Sequence, residues 1–172
     1  MFLSVRTLEL RKLLFETAFA PGQLEFADAR LRLAGPLTAR GMAELLASVN
    51  EIRVRGHLSG AIDYDCDRCL EAATFPIDGD FDLFYRPSKL EPEASEVAVG
   101  EDESEIGFFE GEGLELADVV REQILLWLPM QRLCQPACKG ICPVCGQNRN
   151  QTECSCRPRV PDDRWAALRQ IQ

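Results

Sequence analysis

The chain has 172 residues, 46% of them hydrophobic, which suffices for one ordinary domain with a core and a small appendage. Its net charge of −9 argues against broad nucleic-acid binding by the chain as a whole. The longest apolar run, Ile124 to Met130, is too short to cross a bilayer, and Arg6, Glu9, Arg11 and Lys12 interrupt any apolar leader at the N-terminus. No membrane partner is therefore expected, and a reducing, cytoplasmic setting is.

The first forty residues read as short strands. Leu13, Phe15, Thr17 and Phe19 alternate with Leu14, Glu16 and Ala18 before a turn at Pro21-Gly22. Leu31 and Leu33 alternate with Arg30 and Arg32 before Gly35-Pro36. Met42 to Val49 has the Ala, Leu and Met composition of a helix, but its shortness and its neighbours favour a strand, with a turn near Asn50. From Ile52 to Cys66 every even position is apolar or small, which is the pattern of a long half-buried strand. The alternation resumes from Ala73 to Tyr85. Two long strands separated by Cys66-Asp-Arg-Cys69 make an antiparallel hairpin with a cysteine pair at its tip. Gly56, Gly60 and Gly79 would let the sheet curve, and Pro76 suggests a ladder position that needs no donor, on an edge. His57, the one histidine, falls on the polar face, nine residues from the nearest cysteine, and reads as an exposed side chain.

A stretch at about 87–113 is acidic and rich in Glu, Pro, Ser and Gly, the composition of a solvated loop, in which Ile106 to Phe109 can add a short strand. Leu114 to Leu128 is the one strong helix: Leu116, Val120, Ile124, Trp127 and Leu128 recur at helical spacing, Asp118 lies in the first turns, and Pro129 ends it. Glu122 within it reads as a buried acid bonded to backbone or an arginine. From Pro161 a second helix starts, with Trp165 and Leu168 on one face.

The cysteines carry the chemistry. Six of eight lie between Cys134 and Cys156, and Cys66 and Cys69 form the upstream pair. Cys142-Pro-Val-Cys145-Gly has the form of a zinc knuckle, because two thiolates three positions apart grip one ion only around a sharp turn. Pro143 presets such a turn and Gly146 permits its exit. Four sulfur ligands without histidine favour a closed structural zinc site over disulfides, reactive thiols or an iron–sulfur cluster. Cys142, Cys145, Cys154 and Cys156 make one local set. Cys134 and Cys138 then lack partners in their own segment, as do Cys66 and Cys69, and the two pairs would complete a second site if the helix exit meets the hairpin tip. A rival arrangement uses Cys134, Cys138, Cys142 and Cys145 and leaves Cys66 and Cys69 free.

Charge is unevenly spread. Between residues 131 and 160 there are five bases, Arg132, Lys139, Arg149, Arg157 and Arg159, and one acid, Glu153. A four-thiolate zinc site itself carries −2, so this basic appearance is discounted for each site. The five bases are nonetheless the candidate contacts to RNA phosphates.

A hairpin ending in Cys66-Asp-Arg-Cys69-Leu-Glu, an acidic loop, the helix from Val119 to Pro129, and Leu133 to Asn148 with its cysteines follow in order. This combination resembles the YceD family, the large ribosomal RNA subunit accumulation proteins of bacteria and plastids, over roughly Gly56 to Cys156. The resemblance implies a cytoplasmic, non-enzymatic role in accumulation of large-subunit ribosomal RNA. It implies large-subunit RNA, a pre-ribosomal particle, a ribosomal protein or an assembly factor as partner. The residues agree on chemistry: there is no Ser/His/Asp set, no phosphate loop and no open metal site with histidine and carboxylate ligands. A thiol-based redox enzyme or sensor is the alternative, and it requires a depressed thiol pKa, which Asp65, Asp67 and Glu71 beside the hairpin pair would oppose. The expected fold is α+β: a curved, mostly antiparallel sheet packed by one main helix over residues 1–130, and a zinc-knuckle segment with a C-terminal helix over 131–172.

Overall fold

The computed structural model describes residues 1–88 and 106–156. The expected C-terminal helix, Arg157, Arg159 and the centre of the acidic stretch lie outside them. In chain order the elements are β1 (Phe2–Ser4), α1 (Val5–Leu10), β2 (Leu13–Phe19), β3 (Arg32–Leu33) and β4 (Leu37–Leu46). There follow β5 (Glu51–Asp65), β6 (Ala72–Pro87), β7 (Ile106–Phe109), β8 (Gly113–Glu115) and α2 (Leu116–Trp127). The fold is α+β, with an open sheet ordered β2-β4-β5-β6-β7. Its pairings are antiparallel except β6 with β7, and β3 adds to β5.

The chain gathers into two compact units. One comprises residues 1–64 and 74–130, the other 65–73 and 131–172. The tip of the β5–β6 hairpin thus belongs with the cysteine segment rather than with the sheet residues that flank it in sequence.

In the first unit the alternation of β5 translates into burial: Ile52, Val54, Leu58 and Ile62 are fully buried. β4 pairs along it, Ala43 opposite Val54 and Ala39 opposite Leu58, so its helix-like composition is overridden by ladder pairing and by room for small side chains. The strands turn at Asn50, whose φ of 54° suits an asparagine. One expectation for the first forty residues fails: Val5–Leu10 is a short helix, not a strand. Only Leu8 in it is buried, so it has no alternating face to pair. β1 instead pairs with β8, Leu3 opposite Leu114.

α2 buries Leu116, Val119, Val120, Gln123 and Ile124 and stops before Pro129, with the Leu128 N–H donating to the Ile124 carbonyl. Glu122 is exposed rather than buried, and its carboxylate accepts from the Tyr85 hydroxyl of β6 at 3.1 Å instead of from backbone or an arginine. The glycines serve close packing. A methyl at Gly79 would stand 3.2 Å from the Trp127 ring, so this glycine makes room for the helix on β6. Gly41 faces Gly56 across β4 and β5. A methyl at Gly41 would lie 2.2 Å from the Arg55 carbonyl oxygen and 2.8 Å from the Phe15 ring. Pro76 lies where β6 has no second neighbour among the described residues, because β7 pairs only from Phe84 to Pro87.

The opposite face of the sheet is charged. Arg53 holds Asp82 through two bonds, at 2.8 and 2.6 Å. His57 lies between Asp80 and Asp78, at 2.8 and 2.9 Å, its ring nitrogens engaged by carboxylates.

Gly41→Ala should destabilise the chain by about 2 kcal/mol, on the scale of core overpacking, because the obstructing atom is backbone. Gly35→Ala, with nothing within 4 Å, should leave the melting temperature in place. Thermal denaturation of both variants checks this; equal melting temperatures would show that the β4–β5 crossing has slack.

Candidate metal centres

The second unit is built around eight thiols in two sets. Cys66, Cys69, Cys134 and Cys138 form one, Cys142, Cys145, Cys154 and Cys156 the other, and within each set the sulfurs lie within 4.8 Å of one another. Cys134 and Cys138 therefore gather with the hairpin pair, not with Cys142 and Cys145. Among the described residues, no histidine or carboxylate joins either set.

Two turns of the same backbone design carry half of these thiols. In the first, the Leu70 N–H donates to the Cys66 carbonyl at 2.9 Å and the Cys66 N–H to the Glu71 carbonyl at 2.9 Å. In the second, the Gly146 N–H donates to the Cys142 carbonyl at 2.8 Å and the Cys142 N–H to the Gln147 carbonyl at 2.8 Å. Each turn leaves through a left-handed residue, Leu70 at φ 62° and Gly146 at φ 75°. Glycine is suited to that conformation; leucine is not, and a β-carbon there costs about 1–2 kcal/mol. The hairpin tip carries that strain so as to bring both thiols to one side.

Cys134 and Cys138 complete the first set. The Asp67 N–H donates to the Arg132 carbonyl at 2.8 Å, and the Asp67 carboxylate accepts the Arg132 N–H at 2.7 Å, which ties the two segments just beside the sulfurs. Arg68 donates to the Cys138 carbonyl at 3.2 Å, and its own carbonyl accepts from the Ile141 N–H. Cys69 and Cys134 then stand 3.5 Å apart, and Cys66 and Cys138 3.8 Å. Four sulfurs about 2.3 Å from a tetrahedral ion would be about 3.8 Å from one another, so the spacing fits a four-thiolate ion such as zinc. Cys66, Cys69 and Cys138 are buried, with Leu133 packed over them. The second set is more open: Cys142 is buried, Cys145 exposed, and Cys154 and Cys156 half-buried.

Burial opposes ionisation of the Cys66 thiol, but the backbone N–H groups of Cys134, Cys69 and Arg68 outweigh it and bring the pKa down to about 6. The Cys145 and Val144 N–H groups bring Cys142 to about 6 as well. The expectation that flanking acids would raise the hairpin thiols fails for Cys66, because the backbone N–H bonds to its sulfur dominate there. Asp67 serves Arg132, while Glu71 accepts from Asn148 at 3.1 Å and Gln151 at 3.2 Å. Neighbouring thiols work the other way: Cys69 beside Cys134 and Cys145 beside Cys156 push each of those up to about 12. Cys66 and Cys142, and Cys138 with the Asn150 N–H on its sulfur, thus ionise more readily than an ordinary thiol, and the thiols pushed up lose their protons only if a cation replaces them. The lowered thiol of the hairpin pair is fully buried, the opposite of a reactive nucleophile.

The candidate phosphate contacts separate. Lys139 and Arg149 are exposed and together line a small concavity of about 230 Å³ with Glu153 and Cys154. The Arg132 side chain is mostly covered, 14% exposed, with Asp67 at 3.5 Å from its guanidinium. Arg68, exposed in the same unit, escaped the sequence reading because it lies on the hairpin tip far upstream. So did Asn148 and Asn150, whose only signal was a polar loop between Cys145 and Cys154.

These features define a small α+β protein whose second unit has two four-cysteine sets able to hold metal. The chain belongs to the YceD family: the model of the large ribosomal RNA subunit accumulation protein YceD matches residues 54–172. It is similar to the chloroplastic YCED homolog 1 proteins of Zea mays, 27% identical over 80% of this chain and 60% of that protein, and of Arabidopsis thaliana, 23% identical over 73% and 46%. An uncharacterized protein of Mycobacterium bovis is 31% identical over 70% of this chain and 56% of its own length. The chain thus spans about half of the curated relatives it matches. No solved structure matches it. No helix among the described residues is long and apolar enough to cross a membrane.

Under reducing conditions the full chain should bind two zinc ions, and Cys66→Ser with Cys69→Ser should leave one, read by metal analysis. Loading at neutral pH must expel protons from thiols such as Cys134 and Cys156, so affinity should rise with pH and fall as pH drops. A double variant with the wild-type count would remove the hairpin pair from the ligands. Leu70→Gly relieves the left-handed leucine, 60% exposed and so with little packing to lose, and should stabilise the folded chain by about 1 kcal/mol in denaturant titration.

Proposed function

We propose that this chain is a zinc-stapled, non-enzymatic cytoplasmic factor of ribosome biogenesis that supports accumulation of large-subunit ribosomal RNA by binding RNA or a pre-ribosomal particle. The observation that carries the reading is the family match, because residues 54–172 include the hairpin pair and the whole cysteine segment. Metal-holding geometry supports it: the two four-cysteine sets make the second unit a scaffold for surface groups, not a reaction site. Lys139 and Arg149 are exposed on that scaffold, as is Arg68, and Arg157 and Arg159 follow in sequence. The acidic remainder of the chain disfavours long-range, indiscriminate attraction to nucleic acid. Short phosphate contacts of low sequence specificity fit this distribution.

Lys139→Ala with Arg149→Ala should weaken binding to large-subunit ribosomal RNA fragments and lower the salt dependence by about 1 per cation removed. Filter binding across a salt series measures both. Association with precursor particles unchanged at every salt concentration would point instead to a ribosomal protein or assembly factor as the partner.

A further inference from the structure

The loop between Cys145 and Cys154 does more than return the chain to the second thiol set. Its Asn150 side chain donates from Nδ2 to the Cys138 sulfur of the first set at 3.3 Å. Asn150 is held in position by two further bonds. Its Oδ1 accepts the Lys139 N–H at 2.7 Å, and its own N–H donates to Asn148 Oδ1 at 2.9 Å. Asn148 in turn donates to the Glu71 carboxylate at 3.1 Å, on the hairpin tip, and Gln151 donates to the same oxygen at 3.2 Å. A loop anchored at both ends by one set of thiols thereby places a hydrogen-bond donor on a sulfur of the other.

We propose that Asn150 is a positioning residue that couples the two metal centres, so that filling the second centre strengthens metal binding at the first. The inference rests on the reading of both thiol sets as metal centres. The loop is polar throughout, with Gly146, two asparagines and a threonine, and has no apolar side chain of its own to hold it. Its order depends on closure at its ends by Cys142, Cys145, Cys154 and Cys156. When those thiols share an ion, Asn150 is delivered to Cys138. When they do not, the loop loses its anchor and Cys138 loses its donor. Hydrogen bonds to metal-bound atoms are worth about 10–100-fold in affinity. Coupling is reciprocal, so an ion in the first centre favours the second by the same factor.

The test uses the full chain and cobalt(II), whose thiolate absorption reports each centre, in competition with a chelator and then with zinc(II). Cys154→Ser with Cys156→Ser empties the second centre and should lower cobalt affinity at the first by about tenfold or more. Asn150→Asp keeps the oxygen that caps the Lys139 N–H but removes the donor. It should lower affinity at the first centre by a similar factor while the chain still takes two ions at saturation. The thiolate-to-cobalt band of that centre should move to longer wavelength, since a sulfur stripped of an N–H donor gives up charge more readily. Combining all three substitutions should cost no more than emptying the second centre alone. Glu71→Ala, which releases the loop without touching a thiol or Asn150, should lower first-centre affinity in the same direction. Losses that multiply, or an Asn150→Asp variant with wild-type affinity and spectrum at the first centre, would overturn the coupling while leaving two metal centres standing. A wild-type chain that takes up neither cobalt nor zinc would sink the metal reading and the coupling with it.

Discussion

Four sulfurs held within 4.8 Å of one another cannot all ionise unless a cation stands among them. That constraint organises the second unit. Backbone N–H groups favour ionisation of Cys66 and Cys142, the Asn150 side chain favours that of Cys138, and neighbours such as Cys134 and Cys156 then hold their protons more tightly. A metal ion resolves the conflict, and a disulfide would resolve it only pairwise. The first set also joins residues 72 positions apart, Cys66 and Cys138. A metal link across so long a chain would remove much of the freedom of the unfolded state and would couple metal binding to folding of this unit.

The two cysteine turns reach the same backbone geometry from different sequences. Pro143 and Gly146 make the second turn with residues suited to it. The first turn ends on Leu70, in a conformation that leucine avoids. The better-buried set thus sits on the strained turn, and the more open set on the relaxed one. Such an arrangement suits a permanent staple in the first and a more exchangeable ion in the second.

Surface charge follows from the same plan. Within the sheet, Arg53 is paired with Asp82 and Arg86 with Glu51. Lys139 and Arg149 are instead displayed by the cysteine scaffold. A chain with net charge −9 can then meet an anionic partner through one small region without attracting nucleic acid over its whole surface.

Much of this was legible in the sequence, where a pattern had one physical meaning. Period-two alternation fixed β5 and β6, helical spacing and Pro129 fixed α2, and C-x2-C with Pro and Gly announced a metal-type turn. The division of the thiols could be posed from spacing but not decided, because Cys134 and Cys138 could close a set with either neighbouring pair. Three-dimensional structure decided it, through backbone bonds between Asp67 and Arg132 and between Arg68 and Ile141 that no local pattern encodes. It also decided what sequence had no means of expressing: that Val5–Leu10 is helical, that Glu122 is exposed, that Arg132 is drawn to Asp67, and that Asn150 reaches a sulfur twelve residues away. Local periodicity reports which face of an element is apolar. The partner of a polar side chain is set by where distant segments meet, and that is a property of the folded chain alone.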